Sequence, residues 1–282
     1  MSQLPQSRIH VTFLPEQSDD SCPNCAQPAM VEYCSRCGEK RRDRTDWKLS
    51  RIAAETFAEL TDLEHSKLWQ TFRLLVFKPG QLTREYWSGR RKRFPGPVKL
   101  YFVVFALYLV LYSIHRPTAA YDVHNIPGLG LDQLANKHGL PTPQFAQEVN
   151  SRLQRYTSMS QVVYPLFVAL ALKLLYRRRG FYFAEHLIFA LHFLAFFFLC
   201  NLVLWPFYVL FGIQTSGSVL LAAVGWAWIA LYLLLALRRA YSESWLPAVI
   251  KCAVVFLTFI VTFVLFACGT LMLAIELTSG PG

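Results

Sequence analysis

Two sets of side chains in this sequence have types and spacing that could do chemistry. Cys22-Pro23-Asn24-Cys25 and Cys34-Ser35-Arg36-Cys37 are two CxxC units a hairpin's length apart. Each can fold as a tight knuckle that aims two thiolates at one ion. Two knuckles complete a tetrahedral four-sulfur site, the closed geometry of structural zinc, with no open position left for a catalytic water. A redox CxxC would follow a strand in a larger α/β unit, and this short segment has no room for one. Tyr33 offers a ring to pack and Gly38 a residue that tolerates positive φ, both suited to a small ribbon.

The second set is Glu185, His186 and His192, in the apolar run after Arg177-Arg178-Arg179-Gly180. Ionisable groups enter apolar helices only at a cost, so this stretch is where function is expected. On a helix, Glu185 and His192 share nearly one side and His186 points about a quarter turn away. One carboxylate and two imidazoles could bind a metal, relay protons or, beside Arg177, Arg178 and Arg179, hold an anionic lipid headgroup. A purely structural use competes with this. Glu185 in a first helical turn complements the helix dipole, and His192 can hydrogen-bond a neighbouring span. The spacing is not HExxH, and no GxSxG, P-loop or dinucleotide fingerprint stands in the right context.

The elements that must position these groups are mostly apolar. Of 282 residues 54% are hydrophobic and only 16% charged, with a mean hydropathy of +0.31. The apolar residues gather in blocks after Pro97, the mark of membrane spans rather than of one soluble core. The expected fold is an all-α integral membrane protein. About five transmembrane helices follow a small cytoplasmic zinc ribbon and amphipathic interfacial helices. Residues 1–20 read as a disordered tail, 21–40 as the zinc ribbon, 41–97 as cytoplasmic and interfacial helices, and 98–282 as the transmembrane domain. Spans are expected at about 98–114, 161–176, 184–211, 219–237 and 247–273, with Pro206 kinking or ending the third.

A polar extracytoplasmic loop, 115–159, separates the first two spans and contains a helical stretch with Phe145, Val149, Leu153 and Tyr156 on one face. Lys173, near the end of the second span, is expected to snorkel to the interface. Amphipathic helices are expected at 47–63, 68–77 and 81–90, the second stopped by Lys78-Pro79-Gly80. They could lie flat on the bilayer or pack on the cytoplasmic ends of the spans. The basic run 40–44 reads as a solvated linker.

Charge sets the expected orientation. The chain carries 28 Lys+Arg against 18 Asp+Glu, a formal +10. Its cations flank apolar blocks, which favours anionic lipid and topology setting over nucleic acid. Arg90, Arg91, Lys92 and Arg93, the three arginines at 177–179, and Arg238-Arg239 fall on one side if five spans start inside. That places the N-terminus in the cytoplasm and the C-terminus outside. Met1–Asp20 has no apolar core of a secretory signal, consistent with this. Both basic clusters before spans, 90–93 and 177–179, are candidates for binding lipid or another anion. Cys200, Cys252 and Cys268 lie in apolar spans and imply no disulfide framework.

Three blocks together resemble a bacterial inner-membrane family that carries only a domain-of-unknown-function label. They are CPNC…YCSRCG at 22–38, the run from Thr71 through Lys78-Pro79-Gly80 to Tyr86, Gly89 and Arg90, and Tyr182…Glu185-His186…Phe189…His192…Phe196. The resemblance implies an integral membrane protein with a cytoplasmic zinc ribbon and lends no activity. The expected function is a non-enzymatic scaffold, interaction or small transport protein with one structural zinc ion. Membrane lipids and a cytoplasmic protein are its expected partners. The alternative is a membrane enzyme or proton-coupled carrier for an anionic lipid-linked or amphiphilic substrate, using Glu185 and His192.

Overall fold

The computed structural model describes residues 21–28, 32–39, 65–115, 122–126, 128–211 and 216–278. The expected tail 1–20, the basic run 40–44 and the helix at 47–63 lie outside them. Among the described residues the fold is all-helical, with only a single bridge residue, Tyr33, in extended pairing. The α-helices are α1 (His65–Phe77), α2 (Gln81–Trp87), α3 (Pro97–His115), α4 (Leu131–Lys137), α5 (Thr142–Ser160), α6 (Tyr164–Leu175), α7 (Phe183–Phe211), α8 (Ser216–Ala240) and α9 (Trp245–Glu276).

Four stretches are long and apolar enough to cross a membrane: Thr142–Leu175, Phe183–Phe207, Leu220–Ala240 and Trp245–Glu276. The first of the five expected spans is present as α3, but its apolar part, Pro97–Leu111, is shorter than the other four. Two boundaries differ from expectation. The segment between α3 and α6 holds a 3-10 turn at Val123–Asn125 and α4 besides the expected helical stretch, and α5 runs through a 3-10 turn at Gln161–Val163 straight into α6. Pro165 sits in the first turn of α6, and the Gln161 carbonyl four residues before it accepts from Tyr101 Oη at 2.8 Å instead. Pro206 lies inside α7 and does not end it.

α7 is the hub. It packs against α3, α6 and α8, with α1 and α2 laid on it as well. Of its apolar stretch 56% is buried, against 22% for α9, so α9 presents its flank outward while α7 forms the core. Phe189, Phe193, Phe196 and Phe198 fill the centre, and Phe196 stacks on Tyr232 of α8 with ring centroids 3.4 Å apart. Small residues allow close approach: a Cβ on Gly225 would lie 2.8 Å from Leu204 Cδ1.

The two ends are closed differently. At one end a second apolar cluster joins Val123, Ala135, Phe145, Ala146, Val149 and Leu153 to Ala274 and Ile275 of α9. This is the expected apolar face of α5, and it folds the segment between α3 and α6 onto the end of the bundle. At the other end the α1–α2 hairpin packs on the helices. Leu75, Leu82 and Trp87 are buried in the main core, while Trp69 and Phe77 face outward. Packing on the bundle, rather than lying free, is thus the arrangement of α1 and α2.

Gly80 shows why the Lys78-Pro79-Gly80 stop is there. Its φ is +75°, and a Cβ on it would meet the Ala236 carbonyl oxygen of α8. Only glycine satisfies both the backbone angle and the clearance. Tyr232 Oη donates to the Leu75 carbonyl at 2.8 Å and Arg239 Nη1 to the Pro79 carbonyl at 3.0 Å, which fixes the hairpin along α8.

Candidate functional site

The two CxxC units fold alike. The amide of Ala26 donates to the Cys22 carbonyl, and that of Gly38 to the Cys34 carbonyl, each at 2.8 Å. Both positions take positive φ, 59° at Ala26 and 69° at Gly38. The first knuckle therefore holds an alanine in a conformation that favours glycine. The four Sγ atoms lie within 4.8 Å of one another, with Cys22–Cys37 at 3.6 Å and Cys25–Cys34 at 3.5 Å. A tetrahedral ion with sulfur ligands at about 2.3 Å needs sulfurs roughly 3.8 Å apart, so the set fits such an ion. The backbone N–H of Cys37, then that of Arg36, draws the Cys34 thiol down to about 6 against the burial that would raise it. Burial pushes Cys22 up to about 12. Cys22, Cys25, Cys34 and Cys37 are themselves the hydrophobic cluster of this small module.

The module is seated on the basic turn before α3. Pro23 of the first knuckle lies where a Cβ on Gly89 would come within 3.0 Å of its Cγ. Glu39, just past the second knuckle and 3% exposed, accepts the backbone N–H of Lys92 at 3.0 Å. Two of the four cations in this turn face inward onto α2. Arg90 pairs with Glu85 at 2.7 Å, and Arg91 donates to the Tyr86 carbonyl at 3.2 Å with its guanidinium over the Tyr86 ring. Lys92 and Arg93 are exposed.

The second set of candidates is not gathered into one constellation. Glu185 caps its own helix, its Oε2 accepting the Tyr182 N–H at 2.7 Å. His192 is 3% exposed, and its Nδ1 is 2.9 Å from Thr83 Oγ1 of α2, with the Tyr86 ring edge-on to the imidazole. His186 is fully buried. Its Nδ1 lies 2.7 Å from Tyr241 Oη, and its ring stacks with Tyr176 and Tyr241. Nε2 of both imidazoles is buried without a partner among the described residues. Glu185 and His192 thus share a helix side but have different partners on different elements.

Around His186 the chain builds an ion-and-ring cluster. Tyr176 and Tyr241 stack at 4.0 Å, and Trp87 of α2 meets Tyr241 edge-on at 5.1 Å. Glu243, whose side chain is 2% exposed, is paired with Lys251 Nζ at 2.5 Å and Arg179 Nη2 at 2.9 Å. Lys251 also sits 3.9 Å from the Tyr176 ring centroid. Arg179 donates from Nη1 to the Tyr241 carbonyl at 2.9 Å. Of the three arginines at 177–179, Arg179 is therefore tied into the fold, while Arg177 and Arg178 project outward. Lys173 does not snorkel freely: its Nζ donates to the Phe181 carbonyl at 2.6 Å and closes the α6–α7 turn.

Thr83, Tyr176, Tyr241, Glu243 and Lys251 escape a reading of the sequence alone. One signal was available, since Glu243 is the sole acidic residue between Glu185 and Glu276. A lone carboxylate between two apolar blocks, with cations on both sides, marks a buried ion pair.

Residues 65–109 match the family described as "Protein of unknown function (DUF3667)". No curated protein and no solved structure matches the chain. The matched stretch begins with α1 and includes the Lys78-Pro79-Gly80 corner, α2, the basic turn and most of α3.

Proposed function

We propose that this chain is a non-enzymatic scaffold of a bacterial inner membrane. In this reading Cys22, Cys25, Cys34 and Cys37 hold one structural zinc ion, and the module they form is offered at the cytoplasmic surface to a protein partner. The observation that carries it is how the ionisable groups are used. Glu185 caps a helix, His186 and His192 are hydrogen-bonded between elements, and Glu243 neutralises two cations. The Cys module, by contrast, lies outside the main core at the basic end.

Orientation in this reading follows the cations. The 90–93, 177–179 and 238–239 clusters all stand at the end where α3, α7 and α9 begin and α6 and α8 finish. α3 has 19 residues, about 28 Å at 1.5 Å per residue, enough to serve as a fifth crossing. With five crossings, the C-terminus is outside and membrane lipids surround α8 and α9. Metal analysis of purified protein and of a Cys22→Ser, Cys25→Ser variant tests the reading. One zinc per chain, lost in the variant while the membrane domain stays folded, is expected. Full zinc in the variant removes the basis of the proposal.

A second reading keeps a membrane enzyme or proton-coupled carrier for an anionic lipid-linked or amphiphilic substrate. The unpartnered Nε2 atoms of His186 and His192, with Arg177 and Arg178 exposed in the turn before α7, favour it. It requires that His192→Ala abolish the protein's cellular phenotype without lowering the amount of folded protein. Loss of both together assigns His192 to packing.

A further inference from the structure

We infer that the four-cysteine module is a metal-dependent latch that holds α2 and the basic turn against the membrane helices. The inference rests on the metal reading above and goes beyond a docking platform.

Among the described residues the module's apolar cluster consists of the four cysteines. A segment this small, whose buried side chains among the described residues are Cys22, Cys34 and Glu39, keeps its shape only while an ion links the knuckles. Its contacts with the rest of the molecule depend on that shape. Pro23 lies between two ligands, Cys22 and Cys25, and packs at Gly89. Glu39 lies two residues past Cys37 and accepts the Lys92 N–H at 3.0 Å. The Glu39 amide region is set by the second knuckle, since the Cys34 N–H donates to the Glu39 carbonyl at 2.9 Å.

From the turn the linkage is continuous. Arg90 and Arg91 bind Glu85 and Tyr86 of α2. The next contacts are Thr83 and Tyr86 on His192 of α7, and Trp87 on Tyr241 beside the Glu243 ion pairs. Loss of the ion releases Pro23 and Glu39 together, and residues 89–92 then lean on the Arg90 and Arg91 bonds to α2, with Phe94 still seated in the main core beyond them. Metal occupancy in this way sets how firmly the end of α2 is pinned over His192. The latched α2 and basic turn lie within the segment with the family match, 65–109.

Trypsin reads this directly, because the turn carries four cleavable positions, Arg90, Arg91, Lys92 and Arg93. Full-length protein in detergent is loaded with zinc or stripped with a chelator, and the rate of cutting at 90–93 is followed by mass spectrometry. Stripping is expected to raise that rate by about tenfold or more, since cutting tracks the population of the open turn. A Pro23→Ala, Glu39→Gln variant keeps all four ligands. With its zinc bound it is expected to be cut as fast as stripped wild type.

An unchanged cutting rate on stripping overturns the latch. So does a zinc-loaded double variant cut as slowly as zinc-loaded wild type. If the double variant also loses its zinc, the stripping experiment on wild type decides alone. Purified protein with no bound metal at all fails the metal reading itself, whereas metal-loaded protein with metal-independent cutting fails only the latch.

Discussion

The two ends of this helix bundle solve the same problem with opposite chemistry. At the end formed by α4, α5 and the last turns of α9, closure is apolar: Phe145, Val149 and Leu153 bury against Ala274 and Ile275. At the basic end, closure is polar and aromatic, built from Glu243, Lys251, Arg179, Tyr176, Tyr241, His186 and the α1–α2 hairpin. An apolar closure is tolerant, because neighbours can shift to refill a lost contact. A polar closure is not, because each buried charge or imidazole depends on one placed partner.

That contrast gives a ranked series of outcomes. The largest effect is expected for Glu243→Ala, which leaves Lys251 and Arg179 without their shared carboxylate. The loss is on the order of 3–5 kcal/mol for a broken buried pair, at the low end because Arg179 is partly exposed. The thermal midpoint in detergent should fall by roughly 10 °C. A fall within experimental error breaks the comparison by showing that the basic end is as tolerant as the other.

Gly80→Ala comes next. The added Cβ must clear the Ala236 carbonyl while the backbone holds positive φ, at a cost of about 2–3 kcal/mol. Hydrogen exchange at 70–90 should rise with it, and unchanged protection there would show that the hairpin can slide along α8. At the apolar end, Phe145→Leu is expected to cost only about 1–2 kcal/mol, with faster exchange confined to 122–160. Spread of that exchange to the basic end would show that the two ends are coupled. The smallest effect belongs to Arg177→Gln, Arg178→Gln, whose exposed side chains should change the thermal midpoint in neutral detergent by no more than about 1 °C. A loss of anionic-lipid stabilisation in the same variant would sharpen the picture by giving these two cations a lipid role.

Much of this architecture was legible because it follows from local pattern. The α1 stop at Lys78-Pro79-Gly80, the apolar face of α5 and the CxxC pairs are all short-range signals, and the structure keeps them. The departures have physical causes. Pro206 was expected to kink or end the third span; the helix runs past it, since a single proline removes one hydrogen bond and need not end a helix. The polar composition before the expected helical stretch suggested a plain loop, yet Val123–Asn125 and α4 are helical, with Val123 and Ala135 buried in the cluster that meets α9. Glu185 and His192 share a helix side, but that cannot reveal that each meets a different element.

The sequence by itself determined the all-helical, membrane-compatible class, the ends on which the cations stand and the four sulfurs that converge. Hydrophobic block length, charge placement and CxxC spacing act over a few residues and need no partner to be read. Only the tertiary structure decided which ionisable groups are bound and to what. Glu243 meets Arg179 across 64 positions, His186 meets Tyr241 across 55, and Thr83 meets His192 across 109. Such pairings depend on how helices dock, and docking is decided by the shape of a whole packed surface rather than by any local run of residues.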